Sequence, residues 1–240
     1  MQLVDIVAFG AHPDDIELGA GGMIVQEIKN GNTVGLVDLT KGELGTRGTK
    51  EIREAEAAAA SEILGATFRH NMGFRDGFFQ NDEAHQLEII KVIRTCKPTI
   101  VLLNAPYDRH PDHAKGAELV QAACFLAGLP KIITYDNDGN LQEAFRPKVT
   151  YQYIQFYNLV PNFIYDISQV MDTKMESIKA YSSQFYNPTS DEPATVISSQ
   201  HFLKNVTERA SDMGRWVGLD YGEGFIVQRP IAIKNIHQII

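Results

Sequence analysis

Leu3 to Phe9 is a nearly unbroken apolar, β-prone run that ends against Gly10-Ala11 and then His12-Pro13-Asp14-Asp15. A run without polar alternation reads as a strand covered on both faces, which restricts the chain to folds that bury a parallel sheet between helices. Pro13 marks where a helix would begin, because its missing N–H is an orphan donor at a first helical position anyway. The spacing therefore predicts His12 as the cap, with Asp14 and Asp15 in the first turn. His12 and Asp15, three apart across that turn, can converge on one point, while Asp14 leaves the backbone in another direction. The stretch reads as two metal ligands with a spare carboxylate beside them.

The same punctuation recurs along the chain. Ile16 to Lys29 carries a helical stripe at Ile16, Met23, Ile24 and Ile28. Gly19, Gly21 and Gly22 cost helix stability there, so they point to tight packing of that turn. Thr33 to Thr40 reads as a second strand, and residues 41–48 as a polar, glycine-rich loop. Thr49 to Leu64 is a strong helix stopped by Gly65, Ala66 to His70 a short strand, and Asn71 to Asp82 a loop. Glu83 to Cys96 is a helix, Thr99 to Leu103 a buried strand, and a second His-Pro pair, His110-Pro111-Asp112-His113, opens a helix through Leu126. Alternation of this kind predicts a parallel, doubly wound α/β sheet.

The expectation is thus a single Rossmann-like, three-layer αβα domain over residues 1–240 with a mostly parallel sheet, less regular from about residue 130. In that part Tyr151 to Phe156 and Asn162 to Ile167 read as strands, and Val170 to Ser182 and Ser198 to Trp216 as helices. Residues 136–140 read as a turn and Tyr186 to Pro193 as a long loop.

With 240 residues the chain can bury a sizeable core. Its formal net charge of -8 argues against general affinity for nucleic acid. Cys96 and Cys124 lack metal-ligand spacing and read as reduced, buried thiols. No secretory or membrane-spanning segment is legible, so a cytoplasmic protein that binds no membrane is the expectation.

His12-Pro13-Asp14-Asp15 and His110-Pro111-Asp112-His113 share one local design. Each follows a buried strand, starts a helix with proline and repeats a ligand-type residue three positions on. In open parallel sheets, sites lie beyond the carboxyl ends of strands where the order reverses, and two such loops on neighbouring strands would face each other there. His12, Asp15 and His113 then form a two-histidine, one-carboxylate set with room for water, the pattern of a catalytic zinc site. Asp112 reads as a cap or as a partner that orients a histidine. His70, His85, His201 and His237 read as ordinary surface or core residues. A dinucleotide fingerprint is missing after the first strand, and no G-x-S-x-G elbow occurs.

Together these residues resemble the LmbE-like (PIG-L) family of metal-dependent N-acetylglucosaminide deacetylases. The resemblance rests on Ala11-His12-Pro13-Asp14-Asp15 with Glu17, Thr40-Lys41-Gly42-Glu43, and Arg109-His110-Pro111-Asp112-His113. Tyr181-Ser182-Ser183-Gln184-Phe185 and Glu223-Gly224-Phe225 extend it over most of the chain. The segments Gly42 to Gly48 and Gly73-Phe74-Arg75-Asp76-Gly77, with Arg109-His110, are most similar to the bacillithiol-pathway branch, which removes acetate from N-acetylglucosaminyl-malate.

The resemblance implies that His12, Asp15 and His113 hold zinc, that Asp14 is the general base and that His110, as an imidazolium, steadies the oxyanion. Ferrous iron is the other ion these ligand types accept. Arg53 and Arg109 are the expected carboxylate clamps for a malate-type aglycone, with Arg47 as a further candidate. Arg53 has a second reading, an exposed helix charge paired with Glu54 or Glu56. Tyr186 or Gln184 is the expected second-half contribution to the pocket.

Two rivals remain at this point. A metal phosphoesterase would want a second set of carboxylates, which the sequence does not display. A non-catalytic, metal-retaining sugar-binding module would not need Asp14. The resemblance also implies a homo-oligomer, trimer or hexamer. The apolar tail (Ile231, Ile233, Ile236, Ile239, Ile240) is read as a strand and surface-seeking helix or as part of an interface.

Overall fold

The structure is a computed structural model that describes residues 1–240 except 234, 236 and 238–240. Its strands are β1 (Ile6–Gly10), β2 (Val34–Thr40), β3 (Phe68–Phe74), β4 (Ile100–Leu103), β5 (Val149–Tyr153), β6 (Phe163–Asp166) and β7 (Gly222–Val227). The helices are α1 (Asp15–Lys29), α2 (Lys50–Leu64), α3 (Glu83–Cys96), α4 (Pro111–Leu126), α5 (Met171–Lys179) and α6 (Gln200–Arg215).

One seven-stranded sheet runs in the order β3-β2-β1-β4-β5-β7-β6. The first five strands of that order are parallel, and β7 pairs antiparallel with both β5 and β6. Strand order reverses between β1 and β4, so the loops after these two strands open the crevice where α/β folds bind ligands.

β1 is buried throughout, and its side chains alternate between two cores. Val7 and Phe9 pack with Ile89, Ile93, Leu119 and Val120 of α3 and α4. Ile6 and Ala8 pack on the other face with Ile16, Ala20 and Ile24 of α1 and Met171 of α5. This is the expected three-layer arrangement. A third cluster, Ala57, Ala60, Ile178, Tyr181 and Phe185, joins α2 to α5 and the segment beyond it.

Helix punctuation follows the local chemistry. Thr49, Asp82 and Ser199 accept from Ile52, His85 and Phe202 N–H as caps of α2, α3 and α6. Gly65 ends α2 in the left-handed conformation that glycine takes without strain. The glycines of α1 do mark close packing: a Cβ on Gly19 would sit 2.1 Å from the Tyr153 ring, and one on Gly22 would sit 2.5 Å from Ile167.

Three expectations need correction. α1 begins at Asp15 and not at Pro13, because Asp14 takes φ 115° and stands outside the helical turn. β3 runs on to Phe74 through a stretch expected to be loop. It is an edge strand, where half-exposed polar residues such as Asn71 need no apolar alternation. β7 was not expected: the stretch after Trp216 carries no strand assignment in the sequence, and glycines at 222 and 224 weaken a strand pattern. The side chains of Ile164 and Ile154 crowd those two positions, leaving no room for a Cβ at Gly222. In the tail, Ile231 and Ile233 are exposed and lie outside any strand or helix, while Ile236, Ile239 and Ile240 fall outside the described residues.

Candidate active site

Every parallel strand delivers chemistry to the same edge of the sheet. The loop after β1 brings His12, Asp14 and Asp15, and the loop after β4 brings Asp108, His110, Asp112 and His113. A cavity of 790 Å³ opens over them, walled on the far side by Ile154, Phe156, Phe202 and Met213.

His12, Asp15 and His113 come together as expected. Asp15 Oδ1 lies 3.1 Å from His113 Nε2, and Asp15 Oδ2 lies 3.6 Å from His12 Nδ1. The two contacts use different oxygens of Asp15, so they set its carboxylate against both imidazoles without giving three ligand atoms around one point. His110 joins the group, with one ring nitrogen each from His12, His110 and His113 within 4.8 Å of one another.

The outward nitrogens are tied down by carboxylates. His12 Nε2 donates to Asp76 Oδ1 (3.1 Å) and stands 3.5 Å from Asp112 Oδ2. His113 Nδ1 donates to Asp108 Oδ2 (2.9 Å). A ligating histidine that gives its other N–H to a carboxylate is fixed in tautomer and orientation. The donor set therefore fits a metal ion.

Asp76 and Asp108 escaped the sequence reading, although each lies in or beside a motif segment already singled out. The second carboxylate set that a two-metal site would use is present in space, as Asp76 and Asp112 around His12. Its oxygens are already occupied. Asp76 Oδ2 accepts from Leu44 N–H, and Asp112 accepts from Gly77 N–H and Lys115.

Burial and charge shape the titrations. Burial opposes charge on His12, but hydrogen bonds to Asp112, Asp15 and Asp76 win and raise its pKa well above the usual range. His113 follows the same logic: burial lowers its pKa, yet the Asp15 charge and the Asp108 hydrogen bond bring it up to about 9. Two imidazoles that hold protons this strongly mark a point where positive charge is stabilised. There a metal cation and a proton compete.

His110 differs. Burial and then the neighbouring His12 and His113 charges pull its pKa down to about 4. Its Nδ1 accepts the Asp112 N–H at the start of α4 (3.2 Å). That bond leaves Nε2 as the nitrogen able to donate into the cavity.

Asp14 is buried, and burial with the Asp15 charge, opposed by Arg53, moves its pKa up to about 7. It caps no helix N–H, and its nearest cation is Arg53, at 3.7 Å. Its φ of 115° lies in the left-handed region, where a side chain is strained, and such strain gathers at functional sites.

The arginines divide. Arg53 is buried in the cavity lining and donates to Pro13 O (2.7 Å) and Gly42 O (3.0 Å), which braces the Asp14 turn, while its Nε meets no partner among the described residues. It is not an exposed charge paired with Glu56, which accepts from Ser182 and Ser183. Arg47 binds Ser183 O and Ser190 Oγ and so ties the glycine-rich loop to the loop beyond α5. Arg109 is exposed at the cavity, its guanidinium 5.0 Å from the Phe156 ring centre, with no carboxylate partner among the described residues. Gln184 lines the cavity, whereas Tyr186 is exposed outside its lining. His70, His85, His201 and His237 take no part in the His/Asp groupings.

Residues 7–124 match the model of the PIG-L family, described as GlcNAc-PI de-N-acetylase. Diacetylchitobiose deacetylase of Thermococcus kodakarensis is 32% identical over 190 residues, 75% of this chain and 70% of that protein. The chain belongs to the PIG-L, LmbE-like deacetylase family.

Another relative, the probable N-acetyl-alpha-D-glucosaminyl L-malate deacetylase 2 of Bacillus anthracis, is 29% identical over 72% of this chain and 78% of its own length. Among solved structures, the conserved protein TT1542 of Thermus thermophilus superposes with a TM-score of 0.86 at 32% identity, covering 98% of this chain and 99% of that one. Membership of the PIG-L family makes this protein a deacetylase, an enzyme that acts on N-acetyl groups. Among the described residues no helix is long and apolar enough to cross a membrane.

Proposed function

We propose that the protein is a zinc-dependent hydrolase of the acetamido group of an N-acetylglucosamine conjugate, N-acetylglucosaminyl-malate first among them, giving the free amine and acetate. The observation that carries this reading is the convergence of His12, Asp15 and His113 beside an uncommitted carboxylate, Asp14. A divalent ion held by His12, Asp15 and His113 would supply Lewis-acid polarisation of the amide carbonyl and a water of lowered pKa. Zinc suits the two-imidazole, one-carboxylate set, and ferrous iron is the alternative ion.

Asp14 takes the proton of the attacking water and returns it to the leaving amine, a role open to it because no hydrogen bond to a helix N–H engages its side chain. His110 Nε2–H donates to the oxygen that gains charge as the carbonyl becomes tetrahedral. Arg109 offers its free guanidinium to a carboxylate on the aglycone. Arg53 keeps the Asp14 turn in place.

The relatives named for diacetylchitobiose and for glucosaminyl-malate both support an N-acetylated sugar as substrate. The same reading carries a small-molecule glycoside as sole partner, a cytoplasmic location, and an assembly of three or six copies that light scattering would register.

The test is acetate release from N-acetylglucosaminyl-malate and diacetylchitobiose by the zinc-loaded protein, with phosphate monoesters as the control. Asp14→Ala is expected to retain zinc and lose at least about 100-fold in turnover. Unchanged turnover would remove Asp14 from the mechanism, and phosphate release would favour the phosphoesterase.

A further inference from the structure

Asp15 is gripped by two amides from neighbouring strand ends. Asn104 follows β4 directly, and its Oδ1 accepts the Ala11 N–H (2.9 Å). That bond fixes which way the amide points and aims Nδ2 at Asp15 Oδ2 (3.1 Å). Gln155 lies two residues beyond β5 and donates Nε2–H to Asp15 Oδ1 (2.6 Å). The two amides also meet each other, Asn104 Nδ2 reaching Gln155 Oε1 at 3.3 Å. His12 N–H adds a further bond to Asp15 Oδ2 (2.9 Å).

An ionised carboxylate oxygen has about two acceptor sites. On Oδ2 both are filled, by His12 N–H and Asn104. On Oδ1 one is filled by Gln155, and the other faces His113 Nε2. Both amides are buried, so water does not compete for these bonds.

We propose that Asn104 and Gln155 are positioning residues that hold Asp15 with Oδ1 turned towards His113, and thereby set how tightly the cluster binds a divalent cation. The inference rests on the metal reading given above. Amides suit the task because they donate without adding charge: a carboxylate in either place would repel Asp15. Releasing Asp15 restores its side-chain rotation, which cation binding must then remove again, and loss of such a supporting hydrogen bond typically costs about 10- to 100-fold in metal affinity.

The test is competition for zinc between the metal-free full-length protein and a chromophoric chelator, run beside thermal melting of the metal-free proteins. Gln155→Leu, which keeps the volume and removes the donor, is expected to bind zinc about 10- to 100-fold more weakly, with the metal-free melting midpoint close to that of the unsubstituted protein. Gln155→Met serves the same purpose should the leucine variant not fold. Asp15→Ala is the reference for a cluster that has lost a ligand. Zinc affinity within twofold of the original in a folded Gln155 variant overturns the inference and leaves the metal reading standing; a changed KM alone would then mark Gln155 as a substrate contact. If the unsubstituted protein binds no zinc, the metal reading itself fails and the inference falls with it.

Discussion

Asp14 concentrates the conflict between folding and chemistry at a single residue. Its φ of 115° costs about 1–3 kcal/mol for a residue with a side chain, and its carboxylate is buried, with Arg53 at 3.7 Å. Asp14→Gly relieves both and should raise stability to unfolding by about 1 kcal/mol while abolishing deacetylation. Urea denaturation and an acetate assay on the same preparation check this, and a fall in stability would show that the turn is unstrained. His110 serves both ends in another way, as acceptor for the Asp112 N–H and as donor to the cavity. His110→Ala should lose about 100-fold or more in turnover and about 1 kcal/mol as the helix cap disappears. The thiols lie at the inert extreme. Burial pushes Cys96 up to about 11 and Cys124 up to about 12. Both are above any working pH, so no thiolate forms in the folded state. A disulfide reagent at pH 8 should therefore label neither cysteine until the protein is denatured, when both react.

Helix α1 is the element on which the site and the core most directly depend. One turn beyond Asp14 it carries Glu17, fully buried and paired with Arg69, which also grips both oxygens of Asp38 in β2. Tyr181 adds its hydroxyl to Glu17 (3.0 Å), bringing in the segment after α5. Arg69→Ala would leave Glu17 and Asp38 without their counter-charge, and a loss of about 3–5 kcal/mol is expected in denaturant unfolding. A few residues on, Gly19 lies against Tyr153, whose hydroxyl donates to Phe9 O. Gly19→Ala must displace that ring and should cost about 1–3 kcal/mol. The pairing of Glu223 in β7 with Lys174 in α5 closes the same helix from the other side, with the Glu223 carboxylate accepting from Gly22 and Met23 N–H.

Across the whole molecule, the sheet order decides where chemistry happens. Because β1 and β4 are neighbours at the reversal of strand order, two loops about a hundred residues apart in sequence present their histidines to one crevice. On the proposed metal reading, zinc at a thousand times its dissociation constant should add about 4 kcal/mol to the folded state, or roughly 8–16 °C in melting midpoint for a chain of this size. Calorimetry with and without chelator should show that gap, and His113→Ala should close it. The sequence alone determined the parallel αβα frame and the His12, Asp15 and His113 grouping, because buried strands and proline-started helices are written in local composition. Asn104, Gln155, Asp76 and Asp108 were not legible as supports. An amide or carboxylate acquires that role only from the partner it meets across strands, 64 residues away for Asp76 and His12 and 140 for Gln155 and Asp15. Arg53 shows the reverse: its charge suggested a substrate clamp or an exposed helix charge, and only tertiary packing revealed that it is buried and donates to two backbone carbonyls beside Asp14. Tertiary structure also decided β7, where Ile164 stands in the place a side chain at Gly222 would take.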